Sequence, residues 1–182
     1  MAHSTEPFLG EHGTRVFKEL EKLKVNGLTD RIGVSAYDID EVLRIANLFP
    51  IDVVQLPYNI LAHDDVTDVT FKKLRSRNVE VHVRSIFLQG LLFMHPDKLP
   101  RKFRSFRPFI YEIRKFSERF GVSMAQYLFY FVKQNPLIDK IVIGLTNADQ
   151  LLELIGSDVN IDYSSLKSLT FTQKHLLDPR NW

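Results

Sequence analysis

Four short segments of this chain are dense in valine and isoleucine: Ile32–Ala36, Val53–Leu56, Val79–Ser85 and Lys140–Ile143. Between them lie longer stretches in which apolar residues recur at helical spacing. Strands that read as near-continuous apolar runs are buried on both faces, and strands that alternate with helices pair in parallel through right-handed crossovers. This constrains the chain to an α/β fold. Several of these strands end in polar residues: Ser35 closes the first, Gln55 stands near the end of the second, and Ser85 closes the third. In barrels built from such units the chemistry gathers at the carboxyl ends of the strands.

The helices have legible boundaries. Thr14 to Asn26 places Val16, Leu20 and Leu23 on one face and stops at Gly27, a residue suited to ending a helix. Asp38 and Glu41 form a variant of the capping box that opens a helix to Phe49, with Val42, Ile45 and Ala46 inward and Pro50 barring continuation. Asp64 or Asp65 caps a helix carrying Val66, Val69 and Leu74. A long connection, Phe87 to Pro108, has prolines at 96, 100 and 108 and cations at 98, 101, 102, 104 and 107. A helix from Phe109 to Phe120 closes at Gly121, Ser123 and Gln126 form a capping box that opens the next to Gln134, and Asn147 opens another covering helix. Thr172 to Leu176 has weak helical character. The expected order is α-β-α-β-α-β-(α)α-β-α. Four strands are half the complement of a closed barrel of this type.

Composition narrows the class. The 182 residues suffice for one domain with a real core, and 45% apolar with 25% charged residues is a globular balance. The absence of cysteine excludes a disulfide scaffold, a thiolate metal site and a cysteine nucleophile. The six histidines show no metal-ligand spacing, so no metal is expected. No apolar run approaches the ~20 residues that cross a bilayer, and Met1 to Pro7 has no signal core, so a cytoplasmic protein without membrane contact is expected. A net charge of +2 argues against a nucleic-acid partner. The basic run Lys98–Arg107, with Phe103 and Phe106, fits an anionic ligand or a solvated loop over a barrel mouth, and the solvated loop is the expectation. Many of the fourteen phenylalanines fall between 87 and 131. They read either as a thick helical layer or as apolar surface for a partner.

From His3 to Glu153 the order and spacing of these segments resemble the C-terminal half of an aldo/keto reductase. The resemblance implies a partial (β/α)8 barrel, strands five to eight with their helices, in a single domain over 1–182 that is N-terminally truncated relative to the family. It implies a nicotinamide cofactor, NAD(P)H. Ser35 and Gln55 match residues that hold the nicotinamide carboxamide, although Ala36 replaces the asparagine that usually follows the serine. A side-chain amide suits that role because it donates and accepts at once. Ser85, Phe87, Gln89 and Gly90 match the segment that wraps the pyrophosphate, where a glycine permits close approach and backbone N–H groups donate. Arg84 stands where the family has an aromatic residue stacked on the nicotinamide. A guanidinium also lies flat on a ring and would disfavour the cationic oxidised form; the other reading is an arginine paired to a buried carboxylate. Gly144, Thr146, Asn147, Gln150 and Glu153 match the last βα turn, where a helix N-terminus takes the adenosine phosphate. Thr146 and Asn147 stand where NADP-preferring members have basic residues, so the choice between NAD and NADP stays open.

The catalytic groups are the weak part of the match. The family uses an Asp-Tyr-Lys-His tetrad, with tyrosine as general acid. No position here matches the first three. His3 matches the histidine, because His3-Ser4-Thr5 resembles the end of a fourth strand; a terminal histidine is more often simply mobile. Three readings follow: a reductase with its cofactor segments but without most of its tetrad, a non-catalytic half barrel acting as an interaction or cofactor-sensing module, and a truncated product with no role of its own. Open edges on the first and last strands would favour a homodimer or a complementing half barrel.

Overall fold

The computed structural model of the chain describes residues 1–156, 161–163 and 171–182. They fall into two compact units. The first comprises 1–57, 64–84 and 136–142, and the second 58–63, 85–135 and 143–182.

The first unit is a parallel sheet with helices. Helices α1 (Glu6–Leu9) and α2 (Gly13–Val25) precede β1 (Gly33–Ser35). Then follow α3 (Ile39–Leu48), β2 (Val53–Pro57), α4 (Asp65–Arg75), β3 (Glu80–Arg84) and, later in the chain, β4 (Lys140–Ile141). The four strands stand in the order β1-β2-β3-β4, every neighbouring pair parallel. The alternation read from the sequence is therefore the observed one. The strands are shorter or shifted by a residue or two because pairing stops where the ladder bonds stop.

Two aspartates just ahead of strands tie their neighbours. Asp52 accepts from Ile32 N–H at 2.8 Å, and Asp139 accepts from Val81 N–H at 2.8 Å. The caps are largely as expected. Asp38 accepts from the N–H groups of Asp40 and Glu41 at 2.7 and 3.3 Å. Glu41 does not complete a reciprocal box, because its carboxylate instead accepts from the Thr5 hydroxyl at 2.6 Å. Of the two candidates ahead of α4, Asp64 is the cap, accepting from Thr67 N–H at 2.8 Å.

Four expectations are corrected. The Val16–Leu20–Leu23 face of α2 is not its buried face: Gly13 and Phe17 are buried, while Leu23 is 42% exposed and lines a shallow groove with Val16, Leu20 and Ala2. Phe17 stacks on Phe49 at 5.2 Å, and an aromatic ring removes more apolar surface than a leucine, so it decides which way the helix turns. On α4, Phe71 and Leu74 are buried while Val66 and Val69 are exposed. Third, the edge of β1 is not fully open. Ala2 forms a parallel bridge to Val34, donating to Gly33 C=O and accepting from Ser35 N–H, both at 2.8 Å. Nor is the sheet apolar on both faces. Val54, Leu56, Val81 and Val83 are buried, but the alternate positions are Gln55, Glu80, His82 and Arg84.

The second unit contains a kinked turn over Leu88–Phe93, non-helical at Gln89 and Gly90, short 3-10 helices at Pro96–Lys98 and Arg101–Phe106, then α5 (Arg107–Arg119), α6 (Met124–Lys133) and α7 (Ala148–Ile155). The long connection is thus mostly helical, and α5 begins before Pro108 because proline is tolerated in a first turn. Ser123 and Gln126 form the expected capping box. The phenylalanines form a ring network inside this unit. Phe106 stacks on Phe171 at 4.3 Å, Phe131 meets Tyr163 at 5.3 Å, and Phe116 and Phe120 flank Tyr127 at 6.5 and 6.3 Å. That is the helical-layer reading of their abundance. In the tail, a 3-10 turn at Lys174–Leu177 stands where weak helical character was expected, and a second at Pro179–Asn181 was not expected.

Candidate functional site

In the first unit a band of polar groups crosses the sheet from the carboxyl end of β1 through the middle of β2 and β3 to the start of β4. Register pairs Ser35 with Gln55, Gln55 with His82, and His82 with Lys140, so one row of polar side chains crosses all four strands on one face. Ser35 is buried at 7% exposure, and its hydroxyl donates to Gln55 Oε1 at 3.4 Å. These two residues, matched separately on sequence, are brought together. A hydroxyl beside an amide presents donors and an acceptor over a few ångströms, which is the complement of a planar carboxamide.

Arg84 closes β3. Its guanidinium sits 4.1 Å from the centroid of the Tyr37 ring and donates to Ala36 C=O at 3.1 Å. The ring beneath it belongs to the protein, a partner neither sequence reading of Arg84 contained. Tyr37 follows β1 at a distance of 47 positions from Arg84, and no local pattern links them. His82 was also missed. It is half-buried and meets Glu80 at 3.1 Å, and Glu80 in turn pairs with Arg31. Its signal was the alternation Glu80, His82, Arg84, which breaks the apolar run of a strand read as valine-rich. His3 is exposed and follows directly on the Ala2 bridge to Val34.

In the second unit, Ser85 to Gly90 form a turn with an unusual backbone. Ser85, Leu88, Gln89 and Gly90 have φ of 60°, 48°, 54° and 82°. Left-handed conformation in non-glycine residues costs about a kcal/mol or more each and persists only where the surroundings enforce it. The enforcement is visible: Leu88, Leu91 and Leu92 are buried, Leu88 N–H donates to Ser85 C=O at 2.9 Å, and Phe87 packs on Phe93 at 5.1 Å. Gln89 is exposed. A Cβ at Gly90 or at Gly144 would meet nothing within 4 Å, so the protein itself packs no atom against either position.

The start of α7 closes on itself. Asn147 Oδ1 accepts from Gln150 N–H at 3.0 Å, while Gln150 Oε1 accepts from Thr146 N–H at 2.9 Å. Thr146, Asn147 and Gln150 are thus brought together, as a reciprocal cap. Glu153 is exposed, and its carbonyl accepts from Gln126 at 2.9 Å. Among the described residues, no group of three or more His, Cys, Asp or Glu side chains is placed to hold a metal ion, and no helix is long and apolar enough to cross a membrane.

A model of the Aldo/keto reductase family matches residues 7–170. The chain belongs to the aldo/keto reductase family. Among solved structures, the glycerol dehydrogenase AKR11B4 from Gluconobacter oxydans superposes with a TM-score of 0.57 at 16% identity. The match covers 87% of this chain and 59% of that one, so the chain spans less than two thirds of this relative's length. At that identity the likeness speaks to the fold: an α/β architecture with a parallel four-stranded sheet, consistent with part of the reductase barrel. No curated protein matches the chain.

Proposed function

We propose that this chain carries the nicotinamide-cofactor contacts of an aldo/keto reductase and, alone, lacks most of the family's acid–base machinery. The observation that supports this best is the pairing of Ser35, the last residue of β1, with Gln55 in the middle of the adjacent parallel strand β2, 3.4 Å apart. It stands within the matched stretch of a chain that belongs to a family of NAD(P)-dependent enzymes. Ser35 and Gln55 would hold the nicotinamide carboxamide. The backbone N–H groups of the Ser85–Gly90 turn and of the start of α7 would donate to cofactor phosphates. The bound cofactor supplies hydride for reduction of a carbonyl, or takes it from an alcohol. Arg84 puts a guanidinium at the ends of β1 and β3, which favours reduced over cationic oxidised nicotinamide. His3, which follows the Ala2 bridge to the β1 edge, would be the residue to donate a hydrogen bond to a substrate oxygen. The Asp-Tyr-Lys set has no match here, and losing general acid help typically costs 10²- to 10⁴-fold by itself.

The architecture we propose is strands five to eight of the barrel, in a cytoplasmic protein, with a second copy or a complementing half barrel as the partner at its sheet edges. A second reading, a non-catalytic half-barrel interaction module, is favoured by the reciprocal cap of Asn147 and Gln150, which occupies side chains matched to the cofactor.

Fluorescence titration with NADH and NADPH, followed by a steady-state assay over a panel of aldehydes, tests both parts. Binding is expected with less than about tenfold discrimination between the two, since Thr146 and Asn147 bring no charge to a 2′-phosphate. Gln55→Ala should weaken it by about tenfold, the loss of one or two buried hydrogen bonds. Turnover is expected to be undetectable. No binding of either dinucleotide would sink the cofactor reading, and turnover near an ordinary ~10 s⁻¹ would sink the claim of lost catalysis.

A further inference from the structure

The connection between β3 and α5 concentrates charge. Lys98, Arg101, Lys102, Arg104 and Arg107 fall in a stretch, 87–108, whose single carboxylate is Asp97, in a chain whose formal net charge is only +2. All five cations are exposed. The backbone that carries them is held in place. Arg101–Phe106 is a 3-10 helix, with three residues per turn, so side chains three apart eclipse. One stripe, Phe103 and Phe106, is buried at 6% and 0% exposure, with Phe103 against Trp182 at 4.8 Å and Phe106 against Phe171 at 4.3 Å. The other stripe is Arg101 and Arg104, continued by Arg107 at the first residue of α5.

The charges are poorly compensated. Asp97 is occupied by Arg107 and by the Tyr111 hydroxyl at 2.6 Å, which together hold its carboxyl below the usual range, the tyrosine bond foremost. Among the described residues the side chains of Lys98, Arg101 and Arg104 have neither a hydrogen bond nor an ion pair. Neither the 3-10 helix nor α5 has an acidic residue in its first turn or a side-chain cap. Cations at the amino end of a helix oppose its dipole. The fold therefore keeps like charges aligned where elementary electrostatics would remove them, and an arriving row of anions relieves both repulsions.

We propose that this ridge docks an acidic polypeptide segment in extended conformation. Arginines three apart on a 3-10 helix rise by about 6 Å. Alternate side chains of an extended strand recur at about 6.6 Å, so successive carboxylates on one face meet successive guanidiniums, each able to take a carboxylate in a two-pronged bond. A single-stranded nucleic acid fits less well. Its bases need exposed aromatic platforms, and here Phe103 and Phe106 are turned inward. An anionic bilayer is also disfavoured, because no aromatic or branched aliphatic side chain between 98 and 107 is exposed to insert.

Fluorescence anisotropy at low ionic strength tests this with a dye-labelled peptide of alternating Glu and Thr. Saturable binding is expected. R101Q/R104Q should weaken it by at least about tenfold, and R104Q alone by an intermediate amount. K72Q/K73Q removes the same charge from exposed positions on α4 and should change affinity by less than about threefold. Circular dichroism should be unchanged in every variant, since all these side chains are exposed. Absence of peptide binding, an equal loss in both double variants, or tighter binding of an oligothymidylate or of phosphatidylglycerol vesicles would each overturn the proposal.

Discussion

Gly33 shows how much one residue settles. It begins β1 opposite Val53, and a Cβ there would fall 1.7 Å from Val53 O. That oxygen is backbone, at the first pair of a parallel ladder that holds Val53 between β1 and β3, and cannot swing aside. Gly33→Ala is therefore expected to destabilise the protein by about 3 kcal/mol or to prevent folding, measured by urea unfolding. Gly144→Ala is the control, since its Cβ meets nothing within 4 Å, and a shift within about 0.5 kcal/mol is expected. Equal effects at the two positions would mean β1 and β2 do not pair as described. At this scale the sequence was readable where chemistry is local. Ser35 was identifiable as a strand-end polar residue, and Asp38, Asp64, Ser123 and Asn147 as caps, because each cap acts on a backbone group within three residues; Gln55, read as closing the second strand, stands in its middle because the pairing of β2 runs on to Pro57. Tyr37 beneath Arg84 and Thr5 against Glu41 were not readable, because both pairs join residues far apart in the chain.

Among the elements, α6 is the clearest case of sequence dictating structure. Its ten residues begin at a reciprocal box, with Ser123 Oγ accepting from Gln126 N–H at 3.1 Å and Gln126 Oε1 from Ser123 N–H at 3.0 Å. Ser123→Ala should cost about 1 kcal/mol in a denaturant titration, and Ser123→Asp should restore most of it, because an aspartate caps equally well and its charge suits the helix dipole. Failure of the aspartate to rescue would show that the serine packs rather than caps. Helix α2 makes the opposite case. Its apolar spacing offers two faces, Val16–Leu20–Leu23 and Gly13–Phe17, and the structure buries the second. Periodicity identifies a helix and its apolar candidates. Which face turns inward depends on what waits there, here the ring of Phe49 stacked on Phe17.

On the scale of whole packed units, the second one is an aromatic interior with two phenols inside it. Tyr163 donates to Tyr127 C=O at 2.6 Å, and the Tyr127 hydroxyl is buried without a hydrogen-bond partner among the described residues. Burial pushes both phenols well above the ordinary value. The neutral form is favoured in the folded protein, so their contribution is fully present below the unfolded phenol value of about 10 and is lost as pH rises beyond it. Unfolding above about pH 10 is expected, with two tyrosines ionising only as the fold is lost. Absorbance at 295 nm and circular dichroism followed through the same titration should then move together at the end. Ionisation of all six tyrosines before any change in dichroism would contradict the buried placement.

The sequence by itself determined the alternation of helices and strands, the parallel pairing and the caps, because these depend on spacing within one segment and on the general cost of unpaired backbone. It also carried the family likeness, through ordered motifs over most of the chain. The tertiary structure alone decided which face of α2 and α4 is buried, that Ala2 covers part of the β1 edge, and that one sheet face carries the row Ser35, Gln55, His82, Lys140. It also turned a run of phenylalanines and arginines into an inner stripe and an outer ridge. The reason is common to all of these. Each is a choice among alternatives that local physics leaves nearly equal, and only the surface that each side chain meets separates them.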